Sequence, residues 1–278
     1  MATGRFAGPI QVDFDRATPR AEQWLESKFA PWAAPVLESW AQGAFNDIES
    51  VLFTRGEDTS QRLYYYVCEL QRRGEIAGPR PMIFDIAQIP RACSLERTID
   101  EVRRLARELG VTDAALDVAT AQANRLRAHV APEPTGPRCL LAGTPAPDDR
   151  LAKVIAHAGF VPIGRTLSQQ WADLGPPIER VGGDLFAAIG RQLHESKDGP
   201  RSFSDPATDL AEGIRNADAK AVVLWRIEED EAHAWHLPAQ RRALDALGVP
   251  ALVLTRRDWL ARDGVSEEIN QFLRGIEA

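Results

Sequence analysis

Three features of this 278-residue chain predict an α/β fold built on doubly wound parallel sheets. Short, almost wholly apolar runs recur between polar turns, the pattern of strands buried on both faces. Amphipathic stretches of helical period separate them, and a strand–helix–strand alternation needs crossovers that make neighbouring strands parallel. The rhythm also restarts after the Pro/Gly-rich stretch Pro132–Pro137, which divides the chain into an N-terminal α/β domain, residues 1–136, and a C-terminal domain, 137–278. With 44% hydrophobic residues the chain can fill two cores of ordinary size.

The first dozen residues, with Gly4, Gly8 and Pro9, read as an irregular lead-in. Trp24, Phe29, Trp32, Leu37 and Trp40 follow at a spacing closer to helical than alternating, so a helix is predicted over Pro19–Trp40, interrupted at Pro31 and Pro35. A buried strand is predicted over 48–54, a helix over Thr59–Arg73 and a second strand over 81–86. A long helix should begin with Ser94 as its N-cap and stop at Gly110, and another should run from Thr112 to His129. Beyond the break, strands are predicted at Arg138–Ala142, Phe160–Ile163, Ala219–Arg226 and Pro250–Thr255. Helices are predicted at Asp148–Ala158, Gly183–Glu195, Asp205–Ala217, Leu237–Leu247 and Ser266–Ile276.

Composition excludes several functions. A net charge of −7 opposes a phosphate backbone, and the one arginine-rich stretch, Arg97–Arg107, alternates with Glu96, Asp100, Glu101 and Glu108 as a solvated helix face does. No run of about 18 apolar residues could span a bilayer, and Met1–Phe6 lacks the apolar core of a signal peptide, so a cytoplasmic location is expected without membrane or nucleic-acid partners. The three cysteines, Cys68, Cys93 and Cys139, form no C-x-x-C pair, which argues against a local metal site. There is no G-x-G-x-x-G, phosphate loop, G-x-S-x-G elbow or H-E-x-x-H helix.

In doubly wound sheets ligands bind beyond the carboxyl ends of the strands. Three loops there carry polar residues: Thr54–Thr59, Gly164–Trp171 and Glu228–His236. The last, with Glu228, Glu229, Asp230, Glu231, His233 and His236, can supply hard ligands or an acid/base pair, or be a solvated acidic loop favoured by a helix dipole.

At these loops the chain resembles a known family. The segment from Leu140 to Gly164, the strand Ala221–Trp225 followed by Pro238, and the stretch Arg242–Leu254 are similar to the second domain of the 2-hydroxyacyl-CoA dehydratase and benzoyl-CoA reductase family. Gln271–Leu273 in the closing helix fits as well, and Pro35–Ser39, Ser50–Phe53 and Val111–Leu116 extend the likeness more loosely into the first domain. The resemblance implies two flavodoxin-like domains, dimers of related subunits and acyl-CoA thioester substrates. It also implies a four-iron four-sulfur cluster held by one cysteine from each of three strand-end loops. In this chain those three positions fall on Glu57, Ser168 and Asp230. Oxygen side chains there remove the thiolates a cluster needs, so no cofactor is expected beyond a CoA moiety carried by the substrate.

Two functional expectations follow. One is a cluster-less companion subunit in acyl-CoA metabolism, working beside a homologous subunit or as a homodimer, with the aromatic residues around Trp32 and Trp40 on the partner surface. Tyr64–Tyr66 are expected chiefly in the core. The other is an independent lyase- or hydratase-type enzyme in which Glu57 and Asp230, with Ser168, face one cleft and divide acid and base roles. An oxygen-ligand metal site drawing on Glu57, Asp230, His233 or His236 is a third, less specific reading.

Overall fold

The computed structural model describes residues 1–87, 89, 91–128, 134–179, 183–195 and 205–276. An irregular lead-in precedes a 3-10 turn, Ala21–Gln23, and helix α1, Ala33–Ala41. The helix expected over Pro19–Trp40 is therefore confined to its C-terminal part. Pro31 disfavours a helical conformation in the residue before it, whereas Pro35 lies in the first turn of α1, where its missing N–H costs nothing. Glu38, fully buried on α1, accepts from the backbone N–H groups of Arg20 (2.9 Å) and Ala21 (3.0 Å) and so ties the turn to the helix.

Strand β1, Ser50–Thr54, crosses through helix α2, Asp58–Arg72, to strand β2, Arg80–Phe84, and the two strands pair in parallel from Ser50 opposite Arg80 to Thr54 opposite Phe84. Leu63, Val67 and Leu70 recur at helical spacing on α2 and pack against Val36, Leu37 and Trp40 of α1 and Val51 and Phe53 of β1. Trp40 is a core residue rather than a partner surface. It is 1% exposed and its indole N–H donates to the Ala77 carbonyl at 2.9 Å. Trp32 packs edge-on against Trp171, ring centroids 5.3 Å apart. Tyr64 and Tyr66 lean on the same core, while Tyr65 is exposed.

Helix α3, Ala92–Glu108, starts two residues before the expected cap, because Arg91 already has the extended backbone an N-cap requires. Ser94 lies inside the helix and is buried. Gly110, with φ 64°, ends α3 as expected. The arginine face of α3 is not simply solvated. Arg104 donates to the Ile83 carbonyl (2.8 Å) and pairs with buried Glu101 (2.7 Å), and Arg103 reaches Asp184 (2.7 Å). Helix α4 spans Asp113–Arg127; its expected end at His129, and Pro132 and Glu133 of the break, fall outside the described residues.

The second half forms a four-stranded parallel sheet of strands β3, Arg138–Gly143; β4, Val161–Ile163; β5, Ala219–Ile227; and β6, Ala251–Arg257, in the spatial order β4-β3-β5-β6. Helices α5, Arg150–His157, α6, Leu167–Ala172, α7, Leu185–Glu195, and α8, Pro206–Ala217, lie between the first three strands. The short α9, Glu231–Ala234, and α10, Leu237–Leu247, precede β6, and α11, Val265–Ile276, follows it. In β5, Ala221, Val223, Trp225 and Ile227 face the core that includes Leu151 and Ile155 of α5 and Ile269 and Leu273 of α11. Val222 and Leu224 face Leu210 and Ile214 of α8 and Leu244 of α10 on the other side. Both faces of this sheet are covered, which is why Ala221–Trp225 at the heart of β5 reads as an unbroken apolar run.

Two segments cross the Pro132–Pro137 division. Phe14 of the lead-in is buried in the second core beside Trp259 (5.1 Å) and Trp171 (6.3 Å), and Asp15 next to it accepts from Arg150 (2.6 Å) and Arg262 (2.7 Å). In the other direction α7 packs on α3. Gly190 sets that approach, since a Cβ there would stand 2.5 Å from the Ile99 side chain.

Candidate functional site

The chain leaves β3 toward β4 on one side and later returns to β5 on the other, so the topological switch point of the four-stranded sheet lies between β3 and β5. Crevices at such points are where doubly wound sheets bind ligands. Gly143 closes β3 with φ 108°, and a Cβ at this position would lie 2.0 Å from the Trp225 carbonyl oxygen, so only glycine fits. The backbone N–H of Thr144 then donates to that same oxygen at 2.8 Å. This pins the Thr144 side chain at the carboxyl edge of β5.

The Thr144 hydroxyl donates to Asp230 Oδ2 at 2.6 Å. Arg226, penultimate in β5 and largely buried, donates Nη1 to the same oxygen at 2.9 Å, with its Nη2 3.5 Å from Gln240 Oε1. The other oxygen, Oδ1, receives a short contact from His233 Nδ1, one helical turn onward. Burial pushes the Asp230 carboxyl up, but the hydrogen bonds from His233 and Thr144 and the charge of Arg226 outweigh it and hold the group well below the usual carboxylate range. An ionised carboxylate can only accept, so Nδ1 of His233 carries the proton and Nε2 is left as the free position of the ring. Among the described residues nothing hydrogen-bonds Nε2, and the side chain is about a third exposed. A carboxylate that fixes an imidazole by Nδ1 and leaves Nε2 facing solvent is the arrangement of a general base.

The three residues expected to share one cleft sit on three different elements. Glu57 is the N-cap of α2, its two oxygens accepting from the backbone N–H groups of Thr59 (2.9 Å) and Ser60 (2.5 Å). Burial pushes its carboxyl up, and those two bonds offset the rise only in part. Ser168 is the second residue of α6, half-buried, within the capping box formed by Thr166 and Gln169. Asp230 precedes α9. Among the described residues no hydrogen bond or ion pair joins any two of the three. The structure gathers Thr144, Arg226 and His233 around Asp230 instead. Thr144 and Arg226 were not singled out from the sequence, although each ends or directly follows an apolar strand. The Asp-x-x-His spacing was visible as well.

Among the described residues no group of three or more His, Cys, Asp or Glu side chains is placed to hold a metal ion. The cysteines sit on three different elements: Cys68 half-buried on α2, Cys93 exposed on α3 and Cys139 inside β3, its thiol pushed up to about 12 by burial. No family model matches the chain, and no curated protein matches it.

Proposed function

We propose that this chain is a non-redox relative of the 2-hydroxyacyl-CoA dehydratase and benzoyl-CoA reductase subunits, with two flavodoxin-like domains, that transfers protons at the switch point of its second sheet. One observation carries this reading: the Asp230–His233 pair, ordered by Thr144 and Arg226 at the carboxyl edge of β3 and β5. His233 Nε2 acts as the base. Asp230 is the orienting carboxylate rather than the proton carrier, because it stays ionised at any ordinary pH. The acyl-CoA thioester comes from the sequence resemblance and suits this base, since a thioester carbonyl acidifies the adjacent C–H.

The elementary step is abstraction of that α-proton by Nε2, giving an enolate and an imidazolium, and its return from the imidazolium after exchange with solvent. Incubation with butyryl-CoA in D₂O, followed by mass analysis of the recovered thioester, tests it. Deuterium at the α-carbon with the native protein, and none with His233→Ala, is the expected result. No incorporation, or equal rates for both proteins, would overturn the reading.

A cluster-free companion subunit is the second reading, and the bonding of Glu57 and Asp230 favours it. At two of the three strand-end positions where the resembled family places cysteines, the side chain is already saturated by partners within the chain. In that case the protein contributes a shaped wall to a cytoplasmic acyl-CoA complex, and activity appears only with a homologous partner present.

A further inference from the structure

We infer that this chain pairs with a second copy of itself through one exposed helical stripe running over α9 and α10. The two helices are joined by Trp235 and His236, both with right-handed helical dihedrals, so residues 231–247 keep a nearly continuous helical course. At 3.6 residues per turn, Glu231, Trp235, Pro238 and Arg242 fall within about 60° of one another on one face. All four are exposed, whereas Gln240 and Leu244 on the opposite face are buried. Trp235 is 87% exposed, and the other six of the seven tryptophans are buried or half-buried.

The stripe is evenly spaced about its middle and self-complementary in charge. Positions 231 and 242 are equidistant from the midpoint between 236 and 237, as are 235 and 238, and as are the small residues Ala234 and Ala239. Two copies laid antiparallel across a two-fold axis at that midpoint set Glu231 of each copy against Arg242 of the other. The same axis sets the Trp235 indole against the Pro238 ring, with the alanines near the axis letting the helices approach. An isologous interface demands this self-complementarity.

The charges are free to meet it. Among the described residues neither Glu231 nor Arg242 has an ion-pair partner within the chain, and Arg242 Nε lies 3.3 Å from the Pro238 carbonyl, which keeps the guanidinium on the stripe. The same axis would bring Asp245 opposite Glu228, a like-charge meeting, but Glu228 is already paired with Arg256 at 2.7 Å. A tryptophan with an arginine and its counter-charge is the composition of an interface hot spot. This pairing does not rest on the proton-transfer reading, because His233 bonds Asp230 on the protein side of α9 and the test reads mass, not turnover.

Sedimentation of the full chain across micromolar concentrations tests the pairing, with circular dichroism of each variant to establish that it is folded. The native protein should be a reversible dimer. Trp235→Ala should weaken it roughly tenfold or more. Glu231→Arg and Arg242→Glu should each weaken it, and the two together should restore dimerisation to within a few-fold of native. A native protein that stays monomeric would overturn the inference, as would a dimer indifferent to Trp235→Ala or a double variant no better than the singles.

Discussion

At Asp230 both carboxylate oxygens are occupied, by Thr144 and Arg226 on one and His233 on the other, so replacing it disturbs three partners together. Asp230→Asn leaves the Arg226 guanidinium buried against an amide, and a cost of about 3–5 kcal/mol in urea unfolding is expected. The pH dependence has a definite sign. Because the folded carboxyl is held below its unfolded value, its stabilisation is complete above the ordinary aspartate range, near pH 4, and is lost as pH falls through the lower folded value. The gap between native and Asp230→Asn should therefore persist at pH 4 and narrow only in stronger acid. Gly143 is constrained by space rather than charge. Gly143→Ala must displace the Trp225 carbonyl and adopt a left-handed backbone, and a loss of more than about 3 kcal/mol, or failure to fold, is expected.

At the scale of elements, Glu57 shows how a residue at a strand end can be structural. Its side chain caps the 15-residue α2, and Glu57→Ala should cost about 1 kcal/mol. Here the pH sign is opposite to that of Asp230. The folded carboxyl is raised by burial, so its contribution is fullest below the ordinary glutamate value, about 4.3, and declines as pH rises through the folded value. Native stability relative to Glu57→Gln should fall between pH 4 and neutrality, and α-proton exchange should survive the substitution; loss of exchange would return Glu57 to the catalytic set. Many strand and helix positions were legible because apolar runs and caps are local signals: β5 needed only its run Ala221–Trp225, and the end of α3 only the glycine at 110. The partners of Asp230 were not legible, since Thr144 lies 86 residues away and meets it only through strand order. The start of α3 was misplaced because Arg91 caps through its backbone, with no side-chain cap bond for sequence to advertise.

At the scale of the whole molecule, the two halves exchange pieces. Phe14 fills the second core from the lead-in, so Phe14→Ala should cost about 3–5 kcal/mol, and residues 137–278 expressed alone should bind hydrophobic dyes and regain a native spectrum on adding a peptide of residues 1–20. A fragment that is native-like by itself would show Phe14 to be dispensable. No helix among the described residues is long and apolar enough to cross a membrane. The uneven burial of the tryptophans has an optical consequence. Trp225 is wholly buried inside the sheet and should emit at the blue edge, whereas Trp235, exposed to water, should emit to the red and be the indole that acrylamide reaches first. If two copies meet through Trp235, that red, quenchable fraction should shrink as the protein is concentrated, which makes the chain's own fluorescence a label-free gauge of its association.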